Sequence, residues 1–125
     1  MIIKEPTAKY YNPILEKSFH FAVRIIKFYK VKLKDNYNLN SLFKQLLRSG
    51  TSIGANVSEA QSAFTKKDFI NKLGISLKES RETEFWLKLL KESEIISEKE
   101  FTSLFSDCEE LSKLLTSIIK SSKEI

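Results

Sequence analysis

Gln45-Leu46-Leu47-Arg48-Ser49-Gly50-Thr51-Ser52-Ile53-Gly54-Ala55-Asn56-Val57-Ser58-Glu59-Ala60 combines helical periodicity with a high content of small and polar residues. Leu46, Leu47, Ile53, Val57 and Ala60 recur at three-, four- and seven-residue intervals, the spacing of one face of an α-helix. Gly50 and Gly54 interrupt that helix where leucine or lysine would normally stand, each at about 1 kcal/mol against alanine. A second helix lying almost backbone to backbone on this one offsets that cost, because side chains larger than hydrogen or methyl would block the approach. The stretch therefore specifies a helix inside a tightly packed all-α assembly.

Upstream, Asn12-Pro13 supplies a favoured N-cap and a proline pre-organised for the first helical turn. A helix is predicted over 13–33, with a buried stripe of Leu15, Phe19, Ala22, Ile25, Ile26 and Tyr29. Residues 1–12 read as an N-terminal arm containing Pro6, docking through Ile2, Ile3, Tyr10 and Tyr11. Asn38 or Asn40 can cap a second helix over 41–63, whose stripe runs from Leu42 and Phe43 to Phe64. Thr65-Lys66-Lys67-Asp68 resembles a capping box with aspartate in place of glutamate and opens a third helix over 66–93. Its small residues Gly74, Ser76 and Ser80 are expected to meet the glycine face of the second helix. Ser97-Glu98-Lys99-Glu100 is a full capping box, and Leu104, Cys108, Leu111, Leu115 and Ile118 carry a fourth helix over 98–121. Four helices with short links predict an antiparallel up-down-up-down four-helix bundle, a single domain over 13–125.

The 125 residues contain only three glycines and two prolines, which favours long helices over many short strands. Cys108 has no partner for a disulfide, no apolar run approaches the ~18 residues of a membrane span, and the N-terminus lacks a signal-peptide core. A cytoplasmic protein without membrane attachment is expected. The net charge of +5 is uneven: residues 1–34 hold eight basic and two acidic groups, and the rest hold 13 and 14. The whole basic excess sits in the first quarter. Such a surface is either a solvated lysine-rich helix face or a polyanion-binding one.

Catalytic chemistry finds little to work with. His20 is the one histidine, and no glutamate precedes a histidine by three places, so the Glu-x-x-His pairs of di-iron bundles are missing. Cys108 falls on an apolar stripe, where it reads as a small hydrophobe. No catalytic residue, metal site or cofactor is expected. Gly50-x-x-x-Gly54 matches the close-approach motif of membrane helices, but Arg48 and Glu59 flank it, which points to packing in water. Arg48, Ser52, Asn56 and Glu59 share a ridge and predict a partly buried polar network, with Arg48 paired to Glu59 or Glu84. Trp86, beside Phe85 on the charged side of the third helix, fits a subunit interface or burial within the bundle equally.

Taken together, residues 45–60, Lys66-Lys67-Asp68-Phe69-Ile70-Asn71-Lys72-Leu73 and Leu77-Lys78-Glu79-Ser80-Arg81-Glu82-Thr83-Glu84-Phe85-Trp86-Leu87 resemble the bacterial four-helix-bundle family that includes proteins encoded in intervening sequences of 23S ribosomal RNA genes. The likeness covers roughly residues 15–120. It implies a four-helix protomer in a homopentameric ring, with a basic surface and no established enzymatic activity. A relative, the accessory variability determinant of diversity-generating retroelements, binds nucleic acid and a reverse transcriptase, a role similar in kind. The expected function is a non-enzymatic homo-oligomer, a pentamer, that binds or scaffolds RNA or DNA. Lys17, Arg24, Lys27 and Lys30 are its expected phosphate contacts. The competing expectation is a protein-binding adaptor using the Glu79–Trp86 surface or grooves between protomers.

Overall fold

The computed structural model describes residues 12–124, which form four α-helices and no strand. Helix α1 spans Pro13–Asp35, α2 Asn40–Ala60, α3 Lys66–Glu92 and α4 Glu98–Lys123, with a 3-10 turn at Tyr37–Leu39. α1 packs on α2, α2 on α3 and α3 on α4, and α4 returns more loosely to α1. This is the up-down-up-down four-helix bundle that short connections demand. The docking arm with Ile2, Ile3, Tyr10 and Tyr11 lies outside the described residues.

Local chemistry sets most of the helix ends. Asn12 Oδ1 accepts from the Leu15 N–H at 3.3 Å with Pro13 in the first turn. Thr65 Oγ1 accepts from the Asp68 N–H at 3.0 Å. At α4 the capping box closes in both directions, Glu100 N–H to Ser97 Oγ at 3.0 Å and Ser97 N–H to Glu100 Oε1 at 2.9 Å. Neither Asn38 nor Asn40 caps α2: the N-cap position is Leu39, without a side-chain bond. Asn40 Oδ1 instead accepts from the Tyr29 hydroxyl at 2.7 Å, tying the start of α2 to α1. α2 also stops at Ala60, short of residue 63, because the N–H groups of Gln61, Ser62 and Ala63 bond back three residues and tighten the last turn. Phe64, expected on the core stripe, is consequently 99% exposed.

α3 ends in a Schellman arrangement, with the Ile95 N–H on the Leu90 carbonyl and the Glu94 N–H on the Lys91 carbonyl, both at 2.9 Å. Glu94 sits there at φ 60°, the left-handed conformation usually left to glycine.

The core is built from Phe21 and Ile25 of α1, Phe43, Leu46, Ile53 and Val57 of α2, Leu73, Leu87 and Leu90 of α3, and Leu104, Leu111 and Leu115 of α4. Burying each such side chain contributes roughly 1.5–3 kcal/mol. The buried face of α1 is rotated from the expected one: Ile25 is buried and Leu15 and Tyr29 pack against the core as expected, but Phe19 and Ile26 do not. Ile14, Ser18, Phe21 and Ile25 are buried, while Phe19 and Ile26 are 65% and 44% exposed. α1 carries two apolar stripes, and the glycines of α2 select between them.

A Cβ on Gly54 would lie 3.0 Å from the Ser18 carbonyl oxygen and 3.3 Å from its carbon, and one on Gly50 would lie 2.9 Å from Ile25 Cγ1. The close approach is thus between α1 and α2, with buried Ser18 as the small residue facing Gly54. Gly74, expected in that contact, has nothing within 4 Å of where its Cβ would be. It sits on α3, away from the α1–α2 seam.

Substitutions at the glycines should therefore differ in sign. Gly74→Ala should stabilise the protein by up to about 1 kcal/mol through helix propensity alone. Gly54→Leu should destabilise it by about 3 kcal/mol or more, because its first contact is backbone and cannot swing aside. Glu94→Gly, relieving the left-handed residue, should stabilise by about 1 kcal/mol. Urea midpoints of the three variants check all three signs.

Candidate nucleic-acid interface

α1 carries the basic excess into the structure, and α4 answers part of it. Lys17 Nζ lies 2.6 Å from Glu110, Arg24 bonds Asp107 together with the Ser103 side chain at 2.7 Å, and Lys32 Nζ lies 2.8 Å from Glu100. These pairs span the α1–α4 seam, the most loosely packed of the helix pairs in contact. Two of the four expected phosphate contacts, Lys17 and Arg24, are therefore already engaged with carboxylates.

Lys27 and Lys30, the other two, are exposed and have no ion pair among the described residues. Lys34, outside the expected set, joins them. Spacings of three and four place Lys27, Lys30 and Lys34 on one ridge of α1 beside Val31, which is 60% exposed. An exposed row of cations offers phosphates point charges without prior desolvation, the arrangement that exchanges counterions for a polyanion.

The polar ridge of α2 does not form one network. Arg48 pairs with Glu79 at 3.1 Å and with Glu82, and not with Glu59 or Glu84. Arg48 is exposed at the α2–α3 seam, so it takes the α3 carboxylates on that seam. Glu59, the penultimate residue of α2, pairs with Lys72 at 2.7 Å. Asn56 Nδ2 turns back to the Ser52 carbonyl at 2.9 Å. Trp86 is half-buried, packs against the core and donates from Nε1 to Glu82 at 2.9 Å, completing an Arg48–Glu82–Trp86 chain.

Glu84 belongs to a different, buried set. Its carboxylate, 13% exposed, accepts from Ser112 Oγ at 2.6 Å. Ser112 Oγ also lies 2.8 Å from Ser80 Oγ, which is itself 2.8 Å from the Leu77 carbonyl oxygen. Cys108 Sγ donates to the Ser80 carbonyl at 3.3 Å, and burial pushes its thiol well above the ordinary range. On the α2 side, Thr83 Oγ1 donates to Ser49 Oγ at 2.9 Å and Ser76 Oγ to the Ile53 carbonyl at 2.8 Å. Every buried side-chain nitrogen or oxygen among the described residues has a partner. Sequence reasoning missed this hydroxyl set, although Leu73, Ser76, Ser80, Thr83, Leu87 and Leu90 follow one heptad-like stripe. Ser76 and Ser80 were expected at a helix contact for their small size, and Ser76 does meet α2, but size alone left the hydroxyl bonds and Thr83 unread.

His20 is exposed and stands edge-on to Phe19 with ring centroids 6.2 Å apart. Among the described residues, no group of three or more histidine, cysteine or acidic side chains is placed to hold a metal ion, and no helix is long and apolar enough to cross a membrane.

The family model described as 23S rRNA-intervening sequence protein matches residues 12–117. Among solved structures, the chain is similar to a protein of unknown function from the S23 ribosomal protein family of Bacteroides thetaiotaomicron, known from a crystal structure at 1.70 Å resolution. The two are 50% identical with a TM-score of 0.81, over 86% of this chain and 98% of the other. No curated protein matches the chain.

The Arg48–Glu82–Trp86 chain makes a pH prediction. The Arg48 hydrogen bond, and after it the Trp86 N–H, hold the Glu82 carboxyl below its ordinary range. A carboxylate depressed in the folded state adds stability above its unfolded pKa of about 4.3 and loses it as pH falls through the folded value. Glu82→Gln should accordingly flatten the loss of stability on acidification below about pH 5, read from urea midpoints across that range. An unchanged slope would show that the exposed guanidinium contributes nothing net to this pair.

Proposed function

Because the chain belongs to the 23S rRNA-intervening sequence protein family, we propose that it works as a non-enzymatic homo-oligomer that binds RNA, alone or within a ribonucleoprotein. The observation that carries this reading is the Lys27–Lys30–Lys34 ridge, left without carboxylate partners among the described residues while Lys17, Arg24 and Lys32 are neutralised across the α1–α4 seam.

Assembly is supported by where apolar side chains remain outside. Phe19 and Ile26 face solvent on α1, and Ile75, Phe85 and Leu89 do so on α3. α1 and α3 are diagonal in the bundle, so the two patches lie on opposite corners of it. Two different patches on opposite sides suit a head-to-tail contact, which closes into a ring when the rotation allows. The ring of five that the family resemblance implies is the form proposed, and it repeats each lysine ridge around the assembly. A binding role rather than catalysis fits the engagement of Cys108, Ser112 and Glu84 in packing.

Mass determination in solution, with and without RNA, tests both halves. The expected result is an assembly of about five times the 14.5 kDa chain mass that gains mass with RNA and falls to smaller species in Phe19→Glu/Ile26→Glu. Lys27→Gln/Lys30→Gln should weaken RNA binding and lower the salt slope by roughly 0.7–0.9 for each phosphate no longer neutralised, with the fold intact by circular dichroism. A monomer indifferent to RNA would overturn the proposal. A recovered protein partner that survives nuclease and high salt would favour the adaptor reading instead.

A further inference from the structure

The loose α1–α4 seam opens into a groove beside the lysine ridge. It has a volume of about 440 Å³ and is lined by Arg24, Lys27, Phe28, Val31, Lys99 and Leu104 among others. That falls within the roughly 300–1,000 Å³ of small-ligand sites. Phe28, Val31 and Leu104 give it an apolar interior, while Lys27 and Lys99 are exposed beside it and have no ion pair among the described residues.

Glu100, the one carboxylate lining the groove, is spoken for. It holds Lys32 at 2.8 Å and the Ser97 N–H at 2.9 Å. Burial works to raise its pKa, and the bonds to Lys32 and Ser97 outweigh burial and keep it charged. Its negative charge is thus compensated within the protein. Val31 and Lys27 also line a second depression with Lys30 and Lys34, so groove and ridge are continuous.

The occupant such a site fits has an apolar body and negative charge on one side. We propose that the groove receives one unstacked nucleobase of a single-stranded RNA, with Lys27 and Lys99 holding the flanking phosphates. This rests on the RNA-binding reading and narrows it to single strands, because a duplex presents its phosphates but keeps its bases stacked inside. Base burial on an apolar floor is tolerant of sequence and favours single strands by on the order of tenfold.

Fluorescence anisotropy with a labelled single-stranded RNA and a duplex of the same sequence tests it, using the wild type and Val31→Asn. Val31 is exposed and the substitution is neutral in charge, so folding and long-range electrostatics are preserved. The expected result is a loss of about tenfold in single-strand affinity, with duplex affinity and salt slope unchanged. In parallel, adenosine monophosphate should shift the methyl resonances of Val31 and Leu104, and inorganic phosphate should not. Equal binding of single strand and duplex, with Val31→Asn silent, would overturn the groove while leaving RNA binding on the lysine ridge intact. No binding of either RNA would bring down the RNA-binding reading and this inference with it. Methyl shifts with an acidic amphipathic peptide but not with adenosine monophosphate would overturn it in favour of a protein ligand.

Discussion

The contact between Gly54 and the backbone of Ser18 constrains more of this molecule than any other. With a hydrogen in place of a side chain, α2 comes close enough to α1 that a Cβ would stand 3.0 Å from a carbonyl oxygen. Gly50, one turn earlier, does the same against Ile25. Two glycines at this spacing admit one rotational setting of α1, the one that turns Ser18 and Ile25 inward. The other apolar stripe of the same helix, through Phe19 and Ile26, is thereby turned out to solvent. A packing requirement on one helix thus creates an exposed apolar face on its neighbour.

The opposite sides of α2 and α3 are held by different means. Ser76 reaches the Ile53 carbonyl, Thr83 reaches Ser49, and Ser80 and Ser112 link α3 to α4 under the Glu84 carboxylate. Small hydroxyl-bearing residues let helices approach while satisfying every polar atom they bury, which an interior of low dielectric demands. Unlike leucine contacts, these bonds are directional, and they favour one register of α3 against both neighbours. Cys108 completes the set as a thiol kept protonated by burial.

Electrostatics then sort the basic residues of α1. Those facing α4, Lys17, Arg24 and Lys32, meet Glu110, Asp107 and Glu100. Being exposed or only half-buried, such pairs contribute modestly to stability, and their larger consequence is to neutralise one side of the helix. What is left is a shorter, sharper ridge at Lys27, Lys30 and Lys34. It adjoins the apolar groove where α1 and α4 part, so charge and apolar surface lie together at one place on the bundle.

Much of this was written in local sequence. Periodicity, caps and breakers determined four helices to within two or three residues at each end, since hydrogen bonds within a few residues of a terminus decide where a helix starts and stops. Gly50 and Gly54 announced a close approach for the same local reason: nothing else compensates glycine in a helix interior. Which helix would approach was not local. Gly74 and the serines of α3 had the right sizes, yet α1 took the place, and only the packed arrangement could choose between the two apolar stripes of α1. The partners of Arg48, the burial of the hydroxyl stripe, and the division of the α1 lysines into neutralised and open sets likewise depend on residues tens of positions apart. The sequence alone determined the elements and the total charge, because helix signals are carried by neighbours in the chain and net charge is a sum over composition. Tertiary structure alone decided where that charge remains uncompensated, because compensation depends on distance in space.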